Sequence, residues 1–407
     1  AVKVARAGLL PTITANPAYT ISQSSQNLNS GNFGGGNFGG GANVQNLYDL
    51  PLEASYMVDV WGGIRRNVQA ATNTAQASFA NLENARLSYQ ATLAVDYYSL
   101  KGLDAQAQLL SDTAASYQKY LDLTNNRYNS GIASKGDVAQ ATTQLETTKA
   151  EFIAVGVQRA QYEDAIATLI GKPASEFKLG KSPLTGVPPA VPLALPAELL
   201  ERRPDIAQAE RTVASANASI GVAVSAYYPA ITLNANTGLE SISLSQLFSG
   251  PSFLWSVGPV LAQTLFNGGQ THGQVQEAQA TYEAEVAAYR QTTLTAFQQV
   301  EDDLSGLRIL RDEAVAQADA VKAAKESLDV ATNLYKAGTD DYLDVIVAQA
   351  TYLNNQITDN NVRTSRMTTS VLLIEALGGG WDVSQLPATA SVADVPQAQA
   401  QISKNKK

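Results

Sequence analysis

The chain has 407 residues, of which 45% are hydrophobic, 7% aromatic and 16% charged, with a net charge of −9 and no cysteine. That balance excludes a disulfide framework or a thiolate metal site and argues against a nucleic-acid binder, whose footprint is basic. Ala, Gln, Thr, Asn and Ser are abundant, which suits narrow seams of small side chains better than a thick aromatic core.

Taken in chain order, residues 1–10 read as the end of a helix, and a period-2 strand follows over about 11–22. Ile13, Ala15, Tyr19 and Ile21 alternate there with Thr12, Thr14, Asn16, Thr20 and Ser22. A Gly-rich link from Ser30 to Ala42 reads as a flexible loop. The second strand, about 50–60, sets Leu52, Ala54, Tyr56, Val58 and Val60 against Glu53, Ser55 and Asp59. From 64 to 127 there is no proline and only one glycine, Gly102, which predicts a single helix about 96 Å long. Gly131 then stands where a helix C-cap needs a left-handed residue, and Ser134 is a ready N-cap for a returning helix over 135–170. A Pro-rich equatorial segment, 172–196, leads to a helix over about 197–227. Strands at about 229–240 and 253–266 follow, setting Ile231, Leu233, Ala235 and Leu239 against Thr232, Asn234, Asn236 and Glu240, and Phe253, Trp255, Val257 and Leu261 against Ser256 and Gly258. A long helix over 270–334 carries a half-apolar seam at Tyr282, Val286, Tyr289, Thr293, Phe297, Val300, Leu304 and Leu307, close to the 3.5-residue repeat of knobs-into-holes packing. It turns at Gly338 into a returning helix over 341–377, and 386–407 reads as a flexible tail.

These elements are written twice. Leu121-Asp122, Asn126, Tyr128, Gly131 and Asp137-Val138 return at a constant offset of 207 residues as Leu328-Asp329, Asn333, Tyr335, Gly338 and Asp344-Val345. The first structural repeat is therefore 1–196 and the second 197–385. By this symmetry the helix before Pro11 has lost roughly 20 residues, and the chain reads as N-terminally truncated. One alternating strand suits a half-buried soluble sheet. Four of similar length, paired across Gly- and Ser-rich links, suit strands with one face to lipid and one to water. Four strands cannot close a barrel, and an open edge is not tolerated in hydrocarbon, so several protomers must share one. No run of about 18 apolar residues occurs, so no transmembrane helix is expected. The fold class expected is mainly α with a membrane β part: long antiparallel helical hairpins plus four strands per protomer.

Three phrases carry a family resemblance: Leu199-Leu200-Glu201-Arg202-Arg203-Pro204-Asp205-Ile206, Ala216-Asn217-Ala218-Ser219-Ile220-Gly221 and Ala376-Leu377-Gly378-Gly379-Gly380-Trp381. With the duplicated strand pairs and paired helices, they make residues 1 to about 385 resemble the TolC family, specifically its OprM/NodT-type channels. The resemblance implies a homotrimer with one 12-stranded barrel in outer-membrane lipid and a 12-helix α-barrel crossing the periplasm. It also implies a periplasmic adaptor (membrane fusion protein) and an inner-membrane RND transporter as partners, and passive efflux of drugs, metals or other small molecules. Members of this branch usually carry a lipidated N-terminal cysteine; this chain contains none.

No catalytic constellation is visible, and no cofactor, metal or nucleic acid is expected. The chain reads as a channel, not an enzyme. His272 suits a capping or polar-rim role, and Glu301-Asp302-Asp303 a solvated or pore-lining helix face. Asp340, Asp341 and Asp344 crowd the second turn, where Asp340 or Asp341 would otherwise merely cap the helix. The resemblance places Asp344 at the acidic ring of a narrow pore entrance, with Leu343 or Val347 lining an apolar constriction below it. It also places Asp137 and Tyr335 at a latch between neighbouring helical hairpins, and the latch's arginine position on Asp340. The turns at Tyr128, Gly131, Ile132, Ala133 and Ser134, and at Gly338 and Thr339, are the expected adaptor-docking points. Two alternatives stay open: an exit duct for type I protein secretion, and a structural coiled-coil protein.

Overall fold

The computed structural model describes residues 1–23, 44–189 and 201–388. The Ser30–Ala42 link, residues 190–196 of the equatorial segment and most of the C-terminal tail lie outside the described residues. In chain order the elements are α1 (Val2–Ala7), β1 (Thr12–Ala15), β2 (Ala18–Gln23), β3 (Val44–Met57), α2 (Gly63–Asn129), α3 (Lys135–Leu169), α4 (Pro204–Ser225), β4 (Ala230–Ser241), β5 (Phe253–Ala262), α5 (Gln270–Ala337) and α6 (Tyr342–Ala376). No described helix is long and apolar enough to cross a membrane. The chain forms two compact units that cut across the sequence repeats. One comprises Ala1–Phe79, Gln208–Tyr289 and the described residues from Leu386; the other comprises Ala80–Ala207 and Arg290–Gln385.

The first unit holds one antiparallel sheet in the order β1/β2, β3, β4, β5. The strand expected over 11–22 is two pieces. Both keep one register against β3, Ala15 opposite Leu52 and Ala18 opposite Asp49, so the ladder lapses only at Asn16-Pro17. Pro17 has no N–H to give there. The second strand begins at Val44 and not near 50, and ends at Met57. Asp59 ends it: its carboxylate accepts the backbone N–H groups of Ile64 and Arg65 at 3.0 and 2.9 Å and starts α2. The last strand stops at Ala262, four residues short of the expected 266.

Cross-strand neighbours share a face, so register decides whether the four alternations coincide. They do. Ile13, Ala54, Ala235 and Val257 form one row, and Leu50, Leu239 and Phe253 another. On the opposite face Thr14, Glu53, Asn236 and Ser256 line up, and the Ser55 hydroxyl donates to Asn234 Oδ1 at 3.0 Å. Among the described residues nothing covers the apolar face: Ile13 is 65% and Trp255 69% exposed.

The second unit is helical: it holds the larger parts of α2 and α5, helices of 67 and 68 residues, together with α3 and α6 of 35 each. Its seams are small, as the composition requires: Ala80, Ala167 and Ala296 are fully buried. Beyond its first residue, α2 has a single glycine, Gly102, where α6 crosses close. A Cβ at 102 would lie 2.9 Å from Thr364 Cγ2, and Asn360 donates to the Gly102 carbonyl at 2.9 Å. The seam read along α5 is buried or half-buried at every position, and Phe297, Val300, Leu304 and Leu307 pack against Leu373 and Ala376 of α6. The helix expected over 197–227 is broken. Glu201 and Arg202 are helical, Arg203 is not, and α4 restarts at Pro204, whose missing N–H suits a first turn.

Candidate functional site at the helical turns

The two long helices end in the same way. Gly131 N–H bonds to the Tyr128 carbonyl at 2.9 Å and Ile132 N–H to Arg127 at 2.8 Å; in the second copy Gly338 bonds to Tyr335 at 3.1 Å and Thr339 to Leu334 at 3.1 Å. This paired closure is the Schellman arrangement, and it demands a left-handed residue at its pivot. Gly131 and Gly338 supply it at φ 76° and 78°. Tyr128 and Ile132 are exposed beside the first turn, Ile132 at 67%. The turns then diverge. Ser134 caps α3 in a reciprocal box, its hydroxyl accepting from Asp137 N–H at 3.1 Å while Asp137 Oδ2 accepts from Ser134 N–H at 2.8 Å. Ala133 closes that turn with its N–H on the Arg127 carbonyl.

In the second turn Asp341 occupies the N-cap backbone position of α6, but its carboxylate makes no cap hydrogen bond. Asp340 Oδ1 instead accepts from Asp341 N–H at 3.0 Å. Asp344 lies one turn on, fully exposed, and its carboxyl is raised above the usual range, first by the hydrogen bond it shares with Asp340 and then by that neighbour's charge. Leu343 and Val347 are 55% and 56% exposed, whereas Tyr342 and Val345 are buried. Helical spacing thus puts Leu343, Asp344 and Val347 on the outward face of α6 in the single chain.

The two latch candidates are brought near one another but not joined. Ala141, one turn beyond Asp137, packs in one cluster with Tyr335, Tyr342 and Val345. Asp137 itself is engaged with Ser134. The Tyr335 ring lies 5.1 Å from that of Tyr342 and 4.5 Å from the Arg127 guanidinium, and Arg127 Nη1 donates to the Tyr335 carbonyl at 2.9 Å. The buried Tyr335 hydroxyl finds no partner among the described residues. Burial pushes the Tyr342 hydroxyl up to about 12, with Tyr335 adding to it. Sequence reasoning missed Arg127 and Tyr342. Arg127 has Leu334 as its repeat counterpart, so the duplication that marked Tyr128 and Tyr335 hid it.

A second polar site lies within the same unit. Arg203, 7% exposed, forms a two-pronged pair with Asp205 at 3.0 and 2.7 Å and donates to the Ala376 carbonyl and to Gln299, both at 2.9 Å. It closes one side of a 450 Å³ cavity that also receives Ser88, Asp302, Asp303 and Glu375. Glu301 and Asp302 are exposed, but Asp303 turns inward. Desolvation, Asp302 and Glu375 together raise it from 3.8 to about 6. In the first unit, His272 Nδ1 stands 3.4 Å from the Tyr227 hydroxyl near the start of α5. Among the described residues no group of acidic or imidazole side chains is arranged to hold a metal ion.

Two-faced strands that feed helices of nearly 70 residues, with glycine-pivoted turns and an acidic set at one of them, define a protein of the outer-membrane channel class. The chain belongs to the Outer membrane efflux protein family, which it matches over residues 1–172 and 195–379. It is 33% identical over 354 residues to the toluene efflux pump outer membrane protein TtgF of Pseudomonas putida, covering 86% of this chain and 73% of that protein. It is 32% identical over 333 residues to the outer membrane protein OprJ of Pseudomonas aeruginosa, covering 80% and 69%. Its fold matches the outer membrane protein VceC of Vibrio cholerae with a TM-score of 0.85 at 28% identity, over 94% of this chain and 90% of that one. The protein therefore resides in the outer membrane of a Gram-negative bacterium and extends into the periplasm.

Proposed function

We propose that three copies of the chain form one conduit of a tripartite efflux pump, passing small molecules from a periplasmic adaptor and an inner-membrane RND transporter to the exterior. The observation that carries this reading is the sheet. Four strand positions share one apolar face, while β1/β2 and β5 are left as edges that no other described strand pairs. Lipid tolerates the face but not the edges, so the edges must pair with other copies. Three copies give twelve strands, within the range of closed outer-membrane barrels. The pump named for toluene in Pseudomonas putida favours small organic cargo.

In this reading Asp344, with Asp340 and Asp341 beside it, forms the acidic ring of the pore entrance, and Leu343 and Val347 line the constriction. Asp137 and Tyr335 belong to the latch, with Arg127 stacked on Tyr335 in the place that the resemblance gave to residue 340. The exposed turns around Gly131 and Gly338 meet the adaptor. Mass measurement of the full-length protein in detergent tests the assembly. A heat-sensitive trimer is expected, and a stable folded monomer with the same strand content would refute it.

A further inference from the structure

We propose that Gln349 is a gating residue, whose sealed carboxamide sets the balance between the packing seen here and one in which α6 moves away from α2. The inference rests on reading the α5–α6 turn as the gate. Between Tyr342 and Leu353, α6 buries Tyr342, Val345, Ala348, Gln349 and Leu353. Gln349 is the one strongly polar side chain in that set. It is 2% exposed, and neither its Oε1 nor its Nε2 reaches solvent or finds a hydrogen-bond partner among the described residues. A carboxamide offers two donors and two lone pairs, and protein interiors almost always satisfy such groups.

The surroundings do not repair this. A groove of 560 Å³ runs beside Gln349, bordered by Tyr117 and Tyr120 of α2, Leu328 of α5 and Tyr352 of α6. The side chain is thus sealed where it lies yet next to free space. One to two turns toward the acidic set, the Tyr335 hydroxyl and Arg127 Nε also lack partners. The Tyr335–Tyr342–Arg127 stack holds this end of the helices together, and Gln349 opposes it. A small displacement of α6 that opens the carboxamide to the groove and its water removes the penalty. An effect present in one of two states shifts their populations by its own magnitude. The shared 207-residue offset supports a specific role, because the counterpart in α3 is Thr142, an exposed residue that bonds its own helix at the Val138 carbonyl.

The test uses Gln349→Leu and Gln349→Glu in the full-length protein. Leucine keeps the volume and removes the orphaned groups, so it favours the packed state; glutamate adds a charge and disfavours it. In planar bilayers the leucine variant should open on the order of tenfold less often than wild type, and the glutamate variant more often. Hydrogen exchange over 342–353 should slow by a similar factor in the leucine variant and quicken in the glutamate variant. This second readout needs no channel. Absent conductance in the wild type with the expected exchange pattern would remove the channel reading and leave the packing inference standing. Unchanged exchange in the leucine variant, or both variants moving in one direction, would overturn the inference itself.

Discussion

Replacing Asp303 with asparagine should stabilise the protein near neutral pH and lose that advantage in acid. The carboxyl rises from 3.8 to about 6, with desolvation first and the charges of Asp302 and Glu375 behind it. About 2 pK units correspond to about 3 kcal/mol at face value. The side chain is only partly buried, and solvent screening brings a realistic figure to about 1–1.5 kcal/mol. The sign follows from proton binding. A carboxyl whose folded pKa is raised holds its proton in the native state after the unfolded chain has released it, so stability falls as pH rises from about 4 to about 6. The penalty is fully present above that window and absent below it. Asparagine is neutral at every pH and keeps the shape. In detergent at pH 7.5, Asp303→Asn should therefore melt about 1–2 °C above wild type, and the two curves should converge by about pH 4. A gain that persists unchanged to pH 4, or no gain at pH 7.5, would show that the cavity does not raise the Asp303 pKa.

Gly131→Val and Gly338→Val each force a β-branched residue into φ near 77°, at about 1–3 kcal/mol; efflux should fall while outer-membrane insertion, measured by membrane fractionation, stays normal. Asp344→Ala should weaken cation selectivity and multivalent block in single-channel recordings, because three exposed carboxylates at a narrow entrance concentrate cations; unchanged selectivity would put that side chain outside the pore. Tyr335→Phe keeps the ring stack and deletes a hydroxyl that has no partner among the described residues, so the melting temperature should hold; open probability rises if the hydroxyl bonds a neighbouring protomer, as the latch reading requires, and an unchanged or lower open probability would remove it from the latch. A lowered melting temperature would instead locate the hydroxyl's role inside one protomer.

Much of this fold was legible because each signal was a period. Strand alternation in Ile13, Ala54, Ala235 and Val257 and the α5 seam through Phe297 and Val300 both survive in the structure, since each reports a face that must stay dry or face lipid. The glycine turns were legible for a sharper reason, as Gly131 and Gly338 stand where the pivot calls for a left-handed residue, which glycine adopts without strain. What stayed hidden depends on partners distant in sequence. Pro17 interrupts its strand at a point that alternation alone does not mark. Asp59 reads as a strand residue until the N–H groups of Ile64 and Arg65 claim it. Arg203 supplied part of the family resemblance, yet its work, joining Asp205 to Gln299 and to the end of α6, is invisible without the fold.

The same distinction separates the two polar sites. The acidic set at Asp340, Asp341 and Asp344 is local, so counting charges over five consecutive residues was enough to find it. The cavity set draws Ser88 from α2, Arg203 from the break before α4, Asp303 from α5 and Glu375 from α6, four segments with no common period. Glu301-Asp302-Asp303 looks like a uniformly solvated run, but a helix turns 100° per residue and cannot send three neighbours the same way. Glu301 faces water, Asp302 stands exposed at the rim of the cavity, and Asp303 turns into it, where desolvation raises its pKa. Charge runs on long helices therefore divide by facing, and the member that turns inward is the one that couples proton binding to helix packing.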